Sequence, residues 1–173
     1  MVNTGCLRLG DPLNVCVPTG NFGNIFAAYL AKRSGLPIGR LICASNVNNI
    51  LTDFLRTGVY DRNRPFHTTM SPSMDILISS NLERLLYLCA GSEKTAAFME
   101  QLRTTGRYSL DEPLLEEIRR DFSGYFCSEE QTARTIRETY EQHHYLIDPH
   151  TAVGLHCAQR YITESGDTRP MLT

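Results

Sequence analysis

Two glycines and two asparagines stand together in the stretch VPTGNFGNIF, residues 17–26. It follows the mostly apolar run LNVCV and precedes an alanine-rich segment of helical composition. Residue types in this order suit the binding of an anion. Glycine lets a backbone turn sharply and brings N–H groups inward with no Cβ in the way. The first turn of the following helix adds unpaired N–H groups and the positive end of its dipole. Asn21 and Asn24 tolerate left-handed backbone and carry amide donors. A tight strand-to-helix turn with no ligand explains the same residues, so the pattern alone leaves both open. The usual nucleotide loops are excluded by spelling. No GK[ST] occurs, Gly20 and Gly23 give G-x-x-G rather than G-x-G-x-x-G, and the next apolar run, RLICA, leads into Ser45-Asn46 without an acidic residue.

Other reactive types are scattered. Phe22 stacks on a bound group or packs beneath the loop, and packing is the usual fate of a lone aromatic. Asn46, Asn48 and Asn49 follow an apolar run at the end where open α/β sheets bind ligands, although a helix cap accounts for one of them. Ser71, Ser73 and Asp75 face a substrate or form an ordinary Ser-Pro-Ser turn. His150 and Thr151 follow Asp148-Pro149, a strong helix start, and serve as cap-turn residues or as part of a site. Arg62 and Arg64 either meet a phosphate from a loop or lie exposed. His143-His144 lacks metal-ligand spacing and fits a solvated helix end. Residues 116–121, EEIRRD, fit a solvated helix face. Six cysteines, at 6, 16, 43, 89, 127 and 157, never approach C-x-x-C spacing. They fit reduced core thiols of a cytoplasmic protein rather than a disulfide frame or zinc site.

The elements that must position these residues follow a recognisable rhythm. Strand at 13–17, helix at 25–33, strand at 40–44 and helix at 50–57 point to a parallel α/β sheet flanked by helices. Residues 61–72 form a loop, and 73–90 mix a strand-like opening with a helical ending. Beyond that the chain is mostly helix. Segments 92–105 and 113–122 stop at Gly106 and Gly124, residues 125–127 form a minimal strand, and Ser128 with Gln131 makes a capping box for a helix reaching His143. A stripe of Ala152, Leu155, Ala158, Tyr161 and Ile162 follows Pro149. The 173 residues suit a single unit, with a helical insertion at about 91–146. A net charge of −2 and the lack of a basic stripe argue against nucleic acid. Neither a signal peptide nor a membrane span is legible.

The sequence resembles the threonine synthase family at four places in the family's order: VPTGNFGNIFAAYLAKRSGLPI, ASNVNNILTDFLRTGVY, SPSMDILISSNLERLLY and DPHTAVG. These are pyridoxal-phosphate (PLP) enzymes of the tryptophan-synthase-β-like, fold type II group. The resemblance implies that Gly20, Asn21, Phe22, Gly23 and Asn24 donate backbone N–H groups to the PLP phosphate. It implies, for a whole enzyme, conversion of O-phospho-L-homoserine and water to L-threonine and phosphate by γ-elimination and β-addition of water, with PLP as the electron sink. It places the family's Schiff-base lysine upstream of the loop. The chain has fifteen arginines but only two lysines, Lys32 and Lys94, and neither stands in a family lysine motif or an apolar setting. The expectation is therefore a fragment: the phosphate anchor of the large domain without a catalytic residue, cut before its last strand, inactive alone and prone to dimerise through open sheet edges. The other class of function is a self-contained, non-catalytic α/β domain that binds another phosphorylated ligand or a protein through GNFGN.

Overall fold

The structure, a computed structural model, describes Gly5 and residues 7–173. Cys6 therefore lies outside the described residues. Strand β1 (Leu13–Pro18) enters the glycine loop, α1 (Gly23–Arg33) leaves it, and β2 (Ile38–Ser45) returns alongside β1. After α2 (Ile50–Thr57) and the short β3 (Val59–Asp61) comes a loop with a single 3-10 turn, Pro72–Met74. Then follow α3 (Leu82–Thr105), β4 (Arg107–Ser109), α4 (Glu112–Asp121), β5 (Phe122–Phe126), α5 (Glu129–His143), α6 (Pro149–Ser165) and β6 (Met171–Leu172). The main sheet has the order β5-β2-β1-β6 with every pairing parallel, while β3 and β4 form a separate antiparallel pair. This is the expected parallel α/β sheet with flanking helices and a largely helical second half.

Alternation along β2 explains the layering. Leu41 and Cys43 join one core with residues of α1, α2, α3 and α4, whereas Ile42 and Ala44 join another with Val153, Cys157, Ala158 and Tyr161 of α6. Side chains from one strand thus bury on both faces, which is why LICA, residues 41–44, reads as an unbroken apolar run.

Two boundaries differ from the sequence expectation, and a third, at Gly91, agrees with it. The stretch 91–146 is not helix alone: it supplies β4 and also β5, which pairs with β2 inside the main sheet. Phe122 and Gly124 belong to β5 and not to the end of α4. Gly124 is needed because a Cβ there would meet Thr52 Cα at 2.9 Å, so the glycine lets α2 press against the strand. Gly91, with φ 78° and ψ 176°, breaks α3 where the sequence separates two helices. Both caps read from the sequence are present: Ser128 and Gln131 exchange the two bonds of a capping box, and Asp148 accepts from the N–H groups of His150 and Thr151.

Candidate functional site

The glycine loop leaves β1 at the carboxyl end of the sheet and lines a cleft of about 260 Å³ with Ser73, Met74, Asn81 and His150. Thr19 starts the loop, buried, with its N–H on Ala44 O at 2.8 Å and its hydroxyl on Val17 O at 2.6 Å. Two residues from a distant segment then hold the loop's carbonyls. Ser79 Oγ donates to Gly20 O at 2.9 Å, and Asn81 donates to Asn21 O through both its backbone N (3.1 Å) and Nδ2 (2.9 Å). In a trans peptide the N–H lies opposite the carbonyl, so fixing these two oxygens turns the N–H groups of Asn21 and Phe22 the other way. Phe22 continues the design in left-handed backbone, φ 65° and ψ 0°, directly before the right-handed first turn of α1. Such a left-right pair makes successive N–H groups converge on an anion-sized concavity. Among the described residues, the N–H groups of residues 20–24 donate to no acceptor. The first turn of α1 has no acidic residue to compete with an anion, and no lysine or arginine lines the cleft.

The side chain of Phe22 takes the packing alternative. It is 1% exposed, and its ring lies 5.5 Å from that of Phe122, so core packing holds a backbone conformation that costs about 1–3 kcal/mol on its own. Gly20 is required by a close approach: its Cβ would lie 2.5 Å from Ser73 O.

The other candidates separate into three groups. Ser73 and His150 reach the cleft and touch each other, the Ser73 N–H donating to His150 Nε2 at 3.3 Å. His150 Nδ1 sits 3.0 Å from Asp148 Oδ1, which fits the tautomer with the proton on Nδ1 and leaves Nε2 as acceptor. Asp148 also accepts from the Thr151 hydroxyl, chiefly the reason its carboxyl is held down at about 2, and this assigns Thr151 to the helix cap. Asn46, Asn48, Ser71 and Asp75 form a brace beside the cleft. Asn46 Nδ2 donates to Asp75 at 2.7 Å, Asn48 Nδ2 to His67 O at 2.8 Å, and Thr69 N to Asp75 at 2.9 Å. Asn49, the residue before α2, makes no side-chain cap bond, so capping accounts for none of the three asparagines. The brace fixes the 3-10 turn that packs on Gly20. Arg62 and Arg64 lie elsewhere: Arg64 pairs with Asp53 at 2.8 Å, and Arg62 donates to Arg103 O at 3.4 Å. Residues 116–121 are more than a solvated face, because Arg119 caps the end of α2 at Leu55 O (3.1 Å) and Asp121 pairs with Lys32 at 2.6 Å.

Lys32 stands nine residues beyond Gly23 on α1, a rise of about 13 Å, at the helix end away from the cleft. Lys94 pairs with Asp111 at 2.9 Å. Neither lines the cleft. The five described cysteines are free; Cys16, Cys43, Cys127 and Cys157 are buried, and burial pushes the Cys43 thiol up to about 12. Among the described residues no three His, Cys, Asp or Glu side chains gather in metal-binding geometry, and no helix is long and apolar enough to cross a membrane. Sequence reasoning missed Ser79 and Asn81. Asn81 has a legible signal, an asparagine directly before the run LERLLY, where helix caps fall.

No protein-family model matches the chain. Human threonine synthase-like 1 is 46% identical over 164 residues, which covers 92% of this chain and 22% of that protein. Threonine synthase of Saccharomyces cerevisiae is 43% identical over 166 residues, 87% of this chain and 32% of the yeast protein. The crystal structure of PLP-bound threonine synthase from Brucella melitensis superposes with a TM-score of 0.90 at 40% identity, covering 99% of this chain and 36% of that one. The chain thus spans only about a fifth to a third of the length of these relatives. Over nearly its whole length, then, the chain is related in sequence and in fold to one segment of the threonine synthases, fold type II enzymes with a PLP-bound member among their structures.

Proposed function

We propose that the chain is the phosphate-anchoring part of the PLP site of a threonine synthase. The whole protein converts O-phospho-L-homoserine and water to L-threonine and phosphate; the chain by itself does not, since neither of its lysines reaches the cleft. The observation that carries this reading is the row of unclaimed N–H groups at residues 20–24, held at the start of α1 by Ser79, Asn81 and buried Phe22. Gly20, Asn21, Phe22, Gly23 and Asn24 hold a phosphate through their backbone, and the α1 dipole supplies the counter-charge. When bound, PLP acts as the electron sink for carbanions next to the substrate's amino group.

Size supports a partial site. A cleft of about 260 Å³ falls below the roughly 300–1,000 Å³ of pockets that enclose a whole small ligand, so it suits the phosphate end of the cofactor. The sheet is open next to it: β6 pairs with β1 only at Asn14 and Val15. That edge takes a further strand, from the rest of a larger protein or from a second copy of the chain, and this weighs against a self-contained binding domain. A cytoplasmic setting goes with the proposal, in keeping with five free thiols.

The test uses pyridoxine 5′-phosphate, which lacks the aldehyde and cannot bond to a lysine, with unphosphorylated pyridoxine as control. Amide chemical shifts of Gly20 to Asn24 are expected to move with the phosphorylated compound alone. In parallel, borohydride reduction with PLP is expected to leave Lys32 and Lys94 without stoichiometric label. Loop amides that ignore the phosphate, or specific labelling of either lysine, refute the proposal.

A further inference from the structure

A second cleft, of about 490 Å³, opens beside β5, lined among others by Arg40, Arg56, Arg119, Arg160, Tyr125 and Glu164. It runs along β5, an edge strand separated by β2 from β1 and the glycine loop. The chain carries a net charge of −2, so gathering four of its fifteen arginines around one concavity is a local arrangement and not a reflection of composition.

Each guanidinium is held by the fold. Arg40 Nη1 donates to Arg120 O at 2.8 Å, Arg56 Nε to Gly124 O at 3.0 Å, and Arg119 Nε to Leu55 O at 3.1 Å. Arg160 Nη2 bonds Glu164 at 2.9 Å. Arg56 and Arg160 both lie over the Tyr125 ring, 5.4 and 5.6 Å from its centre. Backbone carbonyls orient an arginine without cancelling its charge. The carboxylates that do cancel charge are few: Glu164 on Arg160, and Glu112, 3.7 Å from Arg119. Among the described residues, Arg40 and Arg56 have no carboxylate within 4.0 Å. Capping the ends of α2 and α4 explains one or two N–H groups on Arg40 and Arg119. It leaves most of the five donors of each guanidinium without a protein acceptor. Beyond Arg160, buried His156 is pushed below the ordinary histidine range, first by burial and then by Arg160 and Arg134.

We propose that this cleft is a second, independent anion site, which takes a phosphate group, free or on a small phosphomonoester. Guanidinium groups match a phosphate's oxygens in fork geometry, and side chains already fixed by carbonyls lose little further freedom on binding. The proposal does not rest on the cofactor reading, because no residue is shared between the two clefts.

Titration of the full 173-residue chain with inorganic phosphate, followed by NMR, separates the two sites. The Nε–H signals of Arg56 and Arg160 report this cleft, and the amides of residues 20–24 report the loop. Phosphate is expected to move both sets, each with its own saturation curve. Replacing Arg40 and Arg56 together by Gln should weaken the arginine-cleft curve about tenfold or more and leave the loop curve unchanged. Glu164→Gln, an exposed change that removes the lining carboxylate, should tighten binding there up to about fivefold. It keeps the test decisive where the double variant does not fold. Arginine signals that stay still, that move equally with chloride at matched ionic strength, or that ignore Glu164→Gln overturn the proposal.

Discussion

Gly20→Ala tests the construction of the loop most directly. An ideal Cβ at residue 20 would stand 2.5 Å from Ser73 O, 3.4 Å from Met74 Cα and 3.5 Å from Ser73 C. All three are backbone atoms of the 3-10 turn, which cannot yield independently. The Asn46–Asp75 bond (2.7 Å) braces it on one side and the Ser73–His150 bond (3.3 Å) on another. Relief must come from the loop itself, which moves away from Ser73 and strains the 2.9 Å bond from Ser79 to Gly20 O. Overpacking of this kind costs about 1–3 kcal/mol. In a chain of this size each kcal/mol lowers Tm by about 2–4 °C, so a fall of roughly 2–12 °C is expected. Phosphate affinity at the loop should drop by about tenfold or more, since the same displacement misaligns several charge-assisted N–H donors. Gly23→Ala is the matched control. Its Cβ would meet only Asn81 Nδ2, at 3.3 Å, the end of a side chain whose bond to Asn21 O is duplicated by the Asn81 backbone. A loss under about 1 kcal/mol is expected there, the worth of one shared hydrogen bond. Thermal melts and pyridoxine 5′-phosphate titrations of both variants give the answer. If Gly20→Ala melts and binds like the parent, or if Gly23→Ala is the more damaging change, the described loop geometry is wrong.

Acid and thiol chemistry give two more predictions. Asp148 is held at about 2, below its unfolded value near 4, so the stability it contributes is complete above pH 4 and disappears as pH falls toward 2. Asp148→Ala should therefore cost about 1 kcal/mol at pH 7, as a lost helix cap does, and the gap from the parent should close near pH 2 in urea unfolding; a gap that persists unchanged at pH 2 refutes the assignment. Cys43, pushed up to about 12 by burial, and Cys16 and Cys157, also raised by burial, should resist iodoacetamide at pH 8 until the chain unfolds; peptide mapping that finds any of the three alkylated at the rate of a free thiol contradicts this.

How much of this was legible follows from where each partner lies in the chain. Local signals were sound: Ser128 and Gln131 are three residues apart, Asp148 caps the turn that follows it, and Gly91 breaks the helix at its own position. The end of α4 was misread because Leu114, Leu115, Ile118 and Phe122 keep helical spacing across a junction where the backbone turns to strand. Gly124 looked like a stop, but its reason is Thr52, 72 residues earlier, and no periodicity shows that. The site divides in the same way. GNFGN states its backbone requirements locally, so the concavity was legible. Its orientation was not, because the residues that turn its N–H groups outward, Ser79 and Asn81, bond across |i−j| of 59 and 60. Ser79 is in turn set by a hydroxyl from β3: Tyr60 accepts from Ser79 N at 2.8 Å and donates to Leu77 O at 3.2 Å. Tyr60 is itself fixed among Phe54 and Tyr108, with ring centres 5.7 and 5.3 Å away. A chain of contacts therefore runs from an aromatic core through one phenol and Ser79 to the loop's peptide planes. Sequence shows that residues 20–24 can form a cup of N–H groups; only the fold shows that a buried tyrosine on a different sheet, acting through Ser79, helps set which way that cup opens.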